Sequence, residues 1–142
     1  MFAAVGDKGT LLTSEDGVTW AARPLERAYS ISRIISGNGK FIATISDTFN
    51  IPNENGYISD LRVMATSSDM KKWNIIKTEN TAPLNSVIWT NGMFTTVGDG
   101  GTILNSTDGS SWSKVDSSTS NNLLNVIRDG QRYIASGDAP ER

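Results

Sequence analysis

The stretch Phe2-Ala-Ala-Val-Gly-Asp-Lys-Gly-Thr-Leu-Leu-Thr-Ser-Glu-Asp-Gly-Val-Thr-Trp20 repeats without a gap as Phe94-Thr-Thr-Val-Gly-Asp-Gly-Gly-Thr-Ile-Leu-Asn-Ser-Thr-Asp-Gly-Ser-Ser-Trp112. More than half of the aligned positions are identical. A middle copy opens at Phe41 and closes at Trp73, and a truncated copy opens at Tyr133. Repetition at this spacing indicates a chain built from similar structural units that pack against their neighbours.

The distances between repeated residues support this division. A serine of one copy and the opening aromatic residue of the next are 27 residues apart in all three cases. The distance from the opening aromatic residue to that serine is longer only in the middle copy, which therefore carries an insertion at about 47–60. Its Asn, Pro and Gly residues favour a loop over another strand. The expected repeat units are 2–40, 41–93 and 94–132, with a partial unit at 133–142.

The third unit shows its expected strands most clearly, at 85–89, 93–97, 102–105 and 112–115. Asn91-Gly92 is typical of a tight hairpin turn, because both residues tolerate positive φ. No segment has a helical period, so the chain is expected to be all-β. Four strands in about 40 residues match one blade of a β-propeller. We therefore expect one partial propeller domain over 1–142, with about three four-stranded blades and a partial one, and core positions at Val5, Leu11, Ile42, Val63, Val97 and Ile103.

A Ser-x-Asp-Gly-x-x-Trp box closes the first and third copies, at 14–20 and 106–112. In the middle copy Met70 and Lys71 replace the Gly-x pair, which puts the geometry of that turn in question. We expect each aspartate to accept hydrogen bonds from backbone N–H groups of its own turn. Each tryptophan is expected to fill the space between neighbouring blades.

At these residues the chain resembles the Asp-box, or bacterial neuraminidase repeat (BNR), β-propellers. This group includes sialidases, oligoxyloglucan-cleaving propellers, sortilin-type receptors and photosystem II stability/assembly factors. The segment before the box looks most like the noncatalytic repeat proteins of bacterial surfaces, phage particles and the photosystem II assembly-factor group. By this resemblance the structural Asp-box residues are Ser14, Asp16, Gly17, Trp20, Ser67, Asp69, Trp73, Ser106, Asp108, Gly109 and Trp112.

The resemblance implies a noncatalytic binding or assembly scaffold. One alternative is part of a glycan-acting hydrolase, sialidase-like or glucanase-like, whose catalytic residues lie mostly outside this segment. Another is lectin-like carbohydrate binding without turnover. The arginines form no recognisable substrate-binding motif, and the three tyrosines have no assignable glutamate partner, so we assign no catalytic residue. The expected partner is a protein or a glycan. The resemblance favours an extracellular, cell-surface or phage-particle location.

Composition removes several classes of chemistry. The chain has no histidine and no cysteine, which excludes Ser-His-Asp and Cys-His nucleophiles and zinc sites built on imidazole or thiolate. We expect no cofactor and no metal. A formal net charge of −2 argues against a nucleic-acid partner, and no apolar run is long enough for membrane insertion.

The insertion and the two ends of the chain carry the remaining expectations. Phe49, Asn53 and Tyr57 of the insertion form a candidate binding loop, because a loop that breaks the repeat on a rigid scaffold is a common place for a partner contact. The repeat is cut within a blade at both ends. We expect the remaining blades to come either from further residues of the same polypeptide or from a homo-oligomer. The N-terminus has no signal-peptide pattern.

Overall fold

The structure, a computed structural model, describes residues 1–8, 10–23, 30–45, 49–53, 56–60, 64–76 and 82–138, with backbone only for 49–53 and 56–60. Its strands in chain order are β1 (Phe2–Val5), β2 (Leu11–Ser14), β3 (Ala21–Ala22), β4 (Ile31–Gly37), β5 (Lys40–Ile45), β6 (Phe49–Asn53), β7 (Gly56–Asp60), β8 (Met64–Ser67), β9 (Asn74–Ile76), β10 (Leu84–Thr90), β11 (Met93–Gly98), β12 (Thr102–Ser106), β13 (Ser113–Val115), β14 (Asn122–Asp129) and β15 (Arg132–Asp138). One short 3-10 turn, Asp99–Gly101, is the only helical element in these ranges.

Apart from β6 and β7, these strands form four antiparallel sheets that follow one another along the chain. The first sheet is β1-β2-β3, the second is β4-β5-β8-β9, the third is β10-β11-β12-β13, and the fourth is the hairpin β14-β15. The all-β prediction is confirmed, and the strands expected in the third unit agree with β10 to β13 to within one residue at each end. No helix in the described ranges has the length and apolar character needed to cross a bilayer.

The first strands of the second, third and fourth sheets lie next to one another. Strand β10 contacts both β4 and β14. Side chains link these strands across the sheets: the Ser32 hydroxyl donates to the Leu84 carbonyl at 3.0 Å, and the Asn85 amide donates to the Leu123 carbonyl at 2.8 Å. The three strands also share a register shift near their start. The sheets therefore meet side by side along their first strands, as the blades of a propeller do.

The insertion is a two-stranded hairpin, so the expectation of a loop at about 47–60 was wrong. Strands β6 and β7 pair antiparallel, with Phe49 opposite Asp60 and Pro52 opposite Tyr57. The sequence explains this outcome, because β-branched and aromatic residues (Phe49, Ile51, Tyr57 and Ile58) flank the Asn- and Gly-containing centre. Neither strand joins the second sheet, whose order passes directly from β5 to β8.

The core consists of apolar clusters between neighbouring sheets. Of the predicted core residues, Leu11, Ile42 and Val97 are buried. Val5 and Ile103 are partly buried against the clusters, and Val63 lies outside the described residues. The largest cluster joins the second and third sheets through Ile42, Met64, Leu84, Val87, Phe94 and Leu104. Neighbouring sheets thus bury the apolar side chains that face one another.

Trp20 departs from the expectation that every box tryptophan packs between blades. Trp73 and Trp112 are partly buried against core clusters, whereas Trp20 is 41% exposed. The difference follows from the place of each box in the row of sheets. Trp112 belongs to the cluster that the third sheet shares with the second, and Trp73 belongs to the cluster that includes Val5 of the first sheet. No described sheet precedes the first one to receive Trp20.

Candidate functional site

The third box shows how Ser106 and Asp108 build their turn. The Ser106 hydroxyl donates to Asp108 Oδ1 at 3.0 Å and accepts from the Gly109 N–H at 2.8 Å. The N–H groups of Ser110 and Ser111 both donate to Asp108 Oδ1 at 2.8 Å. Gly109 has a φ of 78°, a left-handed conformation that glycine adopts at little cost. The carboxylate therefore satisfies backbone donors that the reversal leaves unpaired.

The other two boxes repeat this arrangement. Asp16 Oδ1 accepts from the N–H groups of Val18 and Thr19, each at 2.8 Å. Asp69 Oδ1 accepts from Lys71 at 2.8 Å and Lys72 at 3.0 Å. The middle turn keeps its geometry although methionine replaces glycine, since Met70 has a φ of 62°. Met70 is also 5% exposed, so burial of its side chain offsets the conformational strain.

These hydrogen bonds lower the pKa of every box aspartate. For Asp108 the N–H groups of Ser111 and Ser110 act most strongly, the Ser106 hydroxyl and the charge of Lys40 add to them, and the pKa falls to about 2. The N–H of Thr19 is the largest cause at Asp16, and that of Lys72 at Asp69. A carboxyl with a lowered pKa is ionised at neutral pH, whereas a general acid needs a raised one. The box geometry thus suits holding a turn.

Stability should therefore depend on pH through Asp108. Its pKa is lower in the folded chain than in the unfolded chain, so its contribution is complete above about pH 4 and is lost as the pH falls towards about 2. We expect Asp108→Asn to be less stable than the wild type at pH 7, with a difference that shrinks below pH 4. Urea unfolding across this range measures it, with Asp129→Asn as the control. A stability difference between Asp108→Asn and the wild type that does not change with pH would contradict this role of the Asp108 carboxylate.

The third box also contacts the second sheet. Lys40 Nζ donates to the Asp108 carbonyl at 2.7 Å, and the Asn38 amide donates to the Thr107 carbonyl at 3.3 Å. A Cβ on Gly109 would lie 2.9 Å from the Cδ1 of Ile42, so only glycine fits there without displacement. The box therefore closes its own sheet and also seats it on the preceding one.

The three boxes lie on three different sheets, and each carboxylate is bonded to groups of its own turn. The structure thus does not bring the sequence-predicted acids together into one cleft. In the candidate binding loop, Phe49, Asn53 and Tyr57 lie on the β6-β7 hairpin, and their side chains are outside the described part. Within the ranges that the structure describes, no group of three acidic side chains is arranged to hold a metal ion.

An apolar groove between the third and fourth sheets, of about 270 Å³, is a feature that sequence reasoning missed. From the third sheet it is lined by Met93, Thr95, Val97, Ile103, Asn105 and Val115. Val126, Tyr133 and Ala135 line it from the fourth. Its volume is below the range of about 300–1,000 Å³ usual for small-molecule pockets, and it suits one or two amino-acid side chains.

Two polar atoms in this groove lack a hydrogen-bond partner. They are the hydroxyl of Thr95, which is 5% exposed, and Oδ1 of Asn105. A buried polar atom without a partner costs about 1–3 kcal/mol. The groove therefore offers apolar walls together with a hydroxyl and a carbonyl oxygen that are available to a ligand.

Strand β15 runs along this groove as an edge strand. In the described part of the chain it pairs only with β14, and all seven of its residues are exposed. Tyr133 and Ala135 line the groove, while Ile134 lies between them and is 43% exposed. An unpaired edge presents backbone N–H and C=O groups that can pair with another strand.

The repeat could have signalled this groove. Ile103 and Val115 of the third sheet correspond by repeat position to Met64 and Ile76 of the second. Met64 and Ile76 belong to the cluster that Leu104 and Trp112 complete. The fourth sheet has two described strands, so no counterpart of Leu104 or Trp112 covers Ile103 and Val115.

Comparisons with known proteins identify the fold. No family model matches the chain, and no curated protein matches it. Among solved structures, one described as YCF48 bound to D1 peptide matches with a TM-score of 0.68 at 18% sequence identity, over 95% of this chain and 42% of that one. The chain therefore spans less than half of that structure. With the four sheets described above, this likeness confirms the prediction of a partial β-propeller.

Proposed function

We propose that this chain is a noncatalytic propeller module of the Asp-box type that binds a protein partner through an extended peptide segment. The observation that carries the proposal is the edge of β15 beside the apolar groove, which has no pairing partner among the described residues. The likeness to a propeller that was solved with a bound peptide supports it. The lowered pKa values of Asp16, Asp69 and Asp108 support a structural role for the box acids. The proposed repeat units remain 2–40, 41–93, 94–132 and 133–142.

The pairing of β12 with β11 in the third sheet shows how a peptide would pair with β15. Strand β12 pairs antiparallel with β11, with Phe94 opposite Ser106 and Thr96 opposite Leu104. This pairing presses Leu104, 3% exposed, onto the second sheet. A peptide that pairs with β15 in the same way places its alternate side chains over Ile103 and Val115. Backbone pairing supplies affinity, and the groove selects the side chains.

The groove also specifies the chemistry of the peptide. Its apolar walls favour a leucine-sized or aromatic side chain. The free Asn105 Oδ1 accepts a hydrogen bond, and the Thr95 hydroxyl donates or accepts one. A tryptophan satisfies both requirements, because an apolar ring carries one N–H donor. A preferred ligand is therefore an extended segment with alternating apolar residues and a tryptophan.

A synthetic peptide with the sequence of residues 102–112 tests the proposal, since this segment already pairs with a second strand and packs on a sheet. We expect saturable binding of the labelled peptide by fluorescence anisotropy. Replacing its tryptophan with alanine, or scrambling its order, should weaken binding at least about tenfold, which corresponds to about 1.4 kcal/mol.

Two variants of the protein locate the site. Ala135→Leu fills the groove and should weaken binding about tenfold or more. Ser136→Leu is the matched control, because the neighbouring residue faces away from the groove, and it should bind like the wild type. Equal binding of the scrambled peptide, or of Ala135→Leu, would reject the site. Turnover of sialyl or β-glucan substrates that disappears when an arginine or an acid is replaced would instead favour the hydrolase alternative.

A further inference from the structure

The exposed large apolar side chains are confined to the two ends of the row of sheets. Among the side chains that the structure describes, they are Met1, Phe2, Val18 and Trp20 at the first sheet and Leu124, Ile127, Tyr133 and Ile134 at the fourth. The second and third sheets have none. Exposed apolar patches of this kind mark interaction surfaces.

The interface between the second and third sheets shows what these two ends can recognise. Phe94, Leu104 and Trp112 project from the third sheet, and we call such a surface a head face. They pack against Ile35, Ile42 and Ile76 of the second sheet, and we call this second type a tail face. The contact between the second and third sheets thus joins one head face to one tail face.

The first sheet carries an uncovered head face. The gap-free alignment of 2–20 with 94–112 matches Phe2 to Phe94, and in the same way matches Leu12 and Trp20 to Leu104 and Trp112. Phe94 is fully buried, whereas Phe2 is 54% exposed. The same three side-chain types are therefore present at the first sheet, and no described residue forms a surface that covers them as the second sheet covers Phe94.

The fourth sheet carries an uncovered tail face. Ile35 and Ile42 lie opposite each other in the β4-β5 pair, and Ile127 and Ile134 lie opposite each other in the β14-β15 pair. Ile42 is fully buried beneath the head face of the third sheet, while Ile127 is 48% and Ile134 43% exposed. The tail face of the fourth sheet thus has its two isoleucines in place and nothing over them in the described part of the chain.

We infer that the chain associates with a second copy of itself, head face on tail face, in the manner of its own internal interfaces. Phe2 and Trp20 of one copy pack on Ile127 and Ile134 of the other. The occupant is a second copy because one chain carries both complementary surfaces, and because the contact continues an interface that the fold already contains. The surface lies on the side of the fourth sheet opposite the groove, so this association leaves the proposed peptide site open.

The extent of the row of sheets agrees with this association. The chain aligns with 42% of the propeller structure that it resembles, so that fold has room for further sheets beside the first and the fourth. Head-to-tail contact uses different surfaces on the two copies, so it either closes a ring or continues as an open assembly. A molecule therefore loses all association with wild-type copies only when both its head face and its tail face are blocked.

Two variants with one blocked surface each provide the test. Trp20→Glu blocks the head face and Ile134→Glu blocks the tail face, by placing a charge in an apolar contact. Light scattering coupled to size exclusion, at increasing concentration, should show self-association of the wild type and monomers of each variant alone. An equimolar mixture of the two should form one-to-one dimers, because each dimer then uses the intact tail face of Trp20→Glu and the intact head face of Ile134→Glu.

Two controls separate the loss of a face from an unspecific effect of the added charge and from misfolding. Ser113→Glu adds a charge at an exposed position of β13, away from both faces, and should associate like the wild type. Circular dichroism checks that each variant folds, and Phe2→Asp replaces Trp20→Glu if the latter does not. A monomeric wild type at its highest soluble concentration would overturn the inference. So would a variant that still associates alone, as contact between like faces predicts, or a mixture that stays monomeric, since the head and tail faces then do not bind each other.

Discussion

Replacing Trp112 with alanine is expected to lower the free energy of unfolding by about 3–5 kcal/mol, the range for removing a large aromatic side chain from a packed contact. Trp112 is partly buried against the cluster between the second and third sheets. Its ring centroid lies 6.2 Å from that of Phe94, and its Nε1 donates to the Gly109 carbonyl at 3.1 Å. The variant therefore loses apolar contacts and a hydrogen bond that holds the box turn. Urea unfolding followed by circular dichroism measures the change.

Trp20→Ala is the matched control, because the same residue type occupies the same repeat position but is 41% exposed. In dilute monomer we expect it to cost less than about 1 kcal/mol, as surface substitutions do. Equal losses for the two variants would show that the contact with the preceding sheet contributes little, and would contradict the account of Trp112.

Replacing Gly37 with alanine is expected to cost about 1–3 kcal/mol, because the new methyl group enters an occupied space. A Cβ at Gly37 would lie 2.3 Å from the Cγ of Trp89, which belongs to the next sheet. The Trp89 ring also packs against Phe94, at a centroid distance of 4.3 Å, so it has little freedom to withdraw. The strain should appear as reduced stability, measured by urea unfolding.

Gly6→Ala separates this steric effect from the loss of glycine itself. The nearest heavy atom to a Cβ at Gly6 is the Cβ of Thr10 at 3.9 Å, an ordinary contact. This control should be neutral or stabilising by about 0.4–1 kcal/mol, since alanine restricts the unfolded chain. In a Trp89→Ala background, Gly37→Ala should lose most of its cost; an undiminished cost would exclude the Trp89 clash as its cause.

The repeat made most of the architecture predictable. Asn91-Gly92 and the Gly98-to-Gly101 segment separate β-type stretches, and the observed strands follow them closely. This worked because hairpin turns and strand alternation are local properties, which a single sequence expresses directly. The hydrogen bonds of the box are local in the same sense: Asp108 and its donors lie within three residues of one another.

The features that the sequence did not reveal depend on which strand or sheet packs against a residue in space. Trp20 and Trp112 occupy the same place in the repeat, yet only Trp112 has a sheet to pack on. The insertion was expected to be a loop because Asn50, Pro52 and Asn53 outweighed the β-type residues between them, and strand pairing overrode that local preference. The groove beside β15 arises from strands that have no described counterpart in the fourth sheet. The repeat pattern identifies the side chains that such a counterpart would cover, and the structure shows that they line an open groove.

The closeness in sequence of each box to its partners also bears on how the chain folds. The Ser14–Asp16 turn closes over at most three residues, so the entropy lost in closing it is small. Short-range contacts form early, whereas contacts between distant segments set the slow steps of folding. Each box turn can therefore order its own strands before the sheets meet, and folding can begin at any of the three boxes and spread to the adjoining sheet.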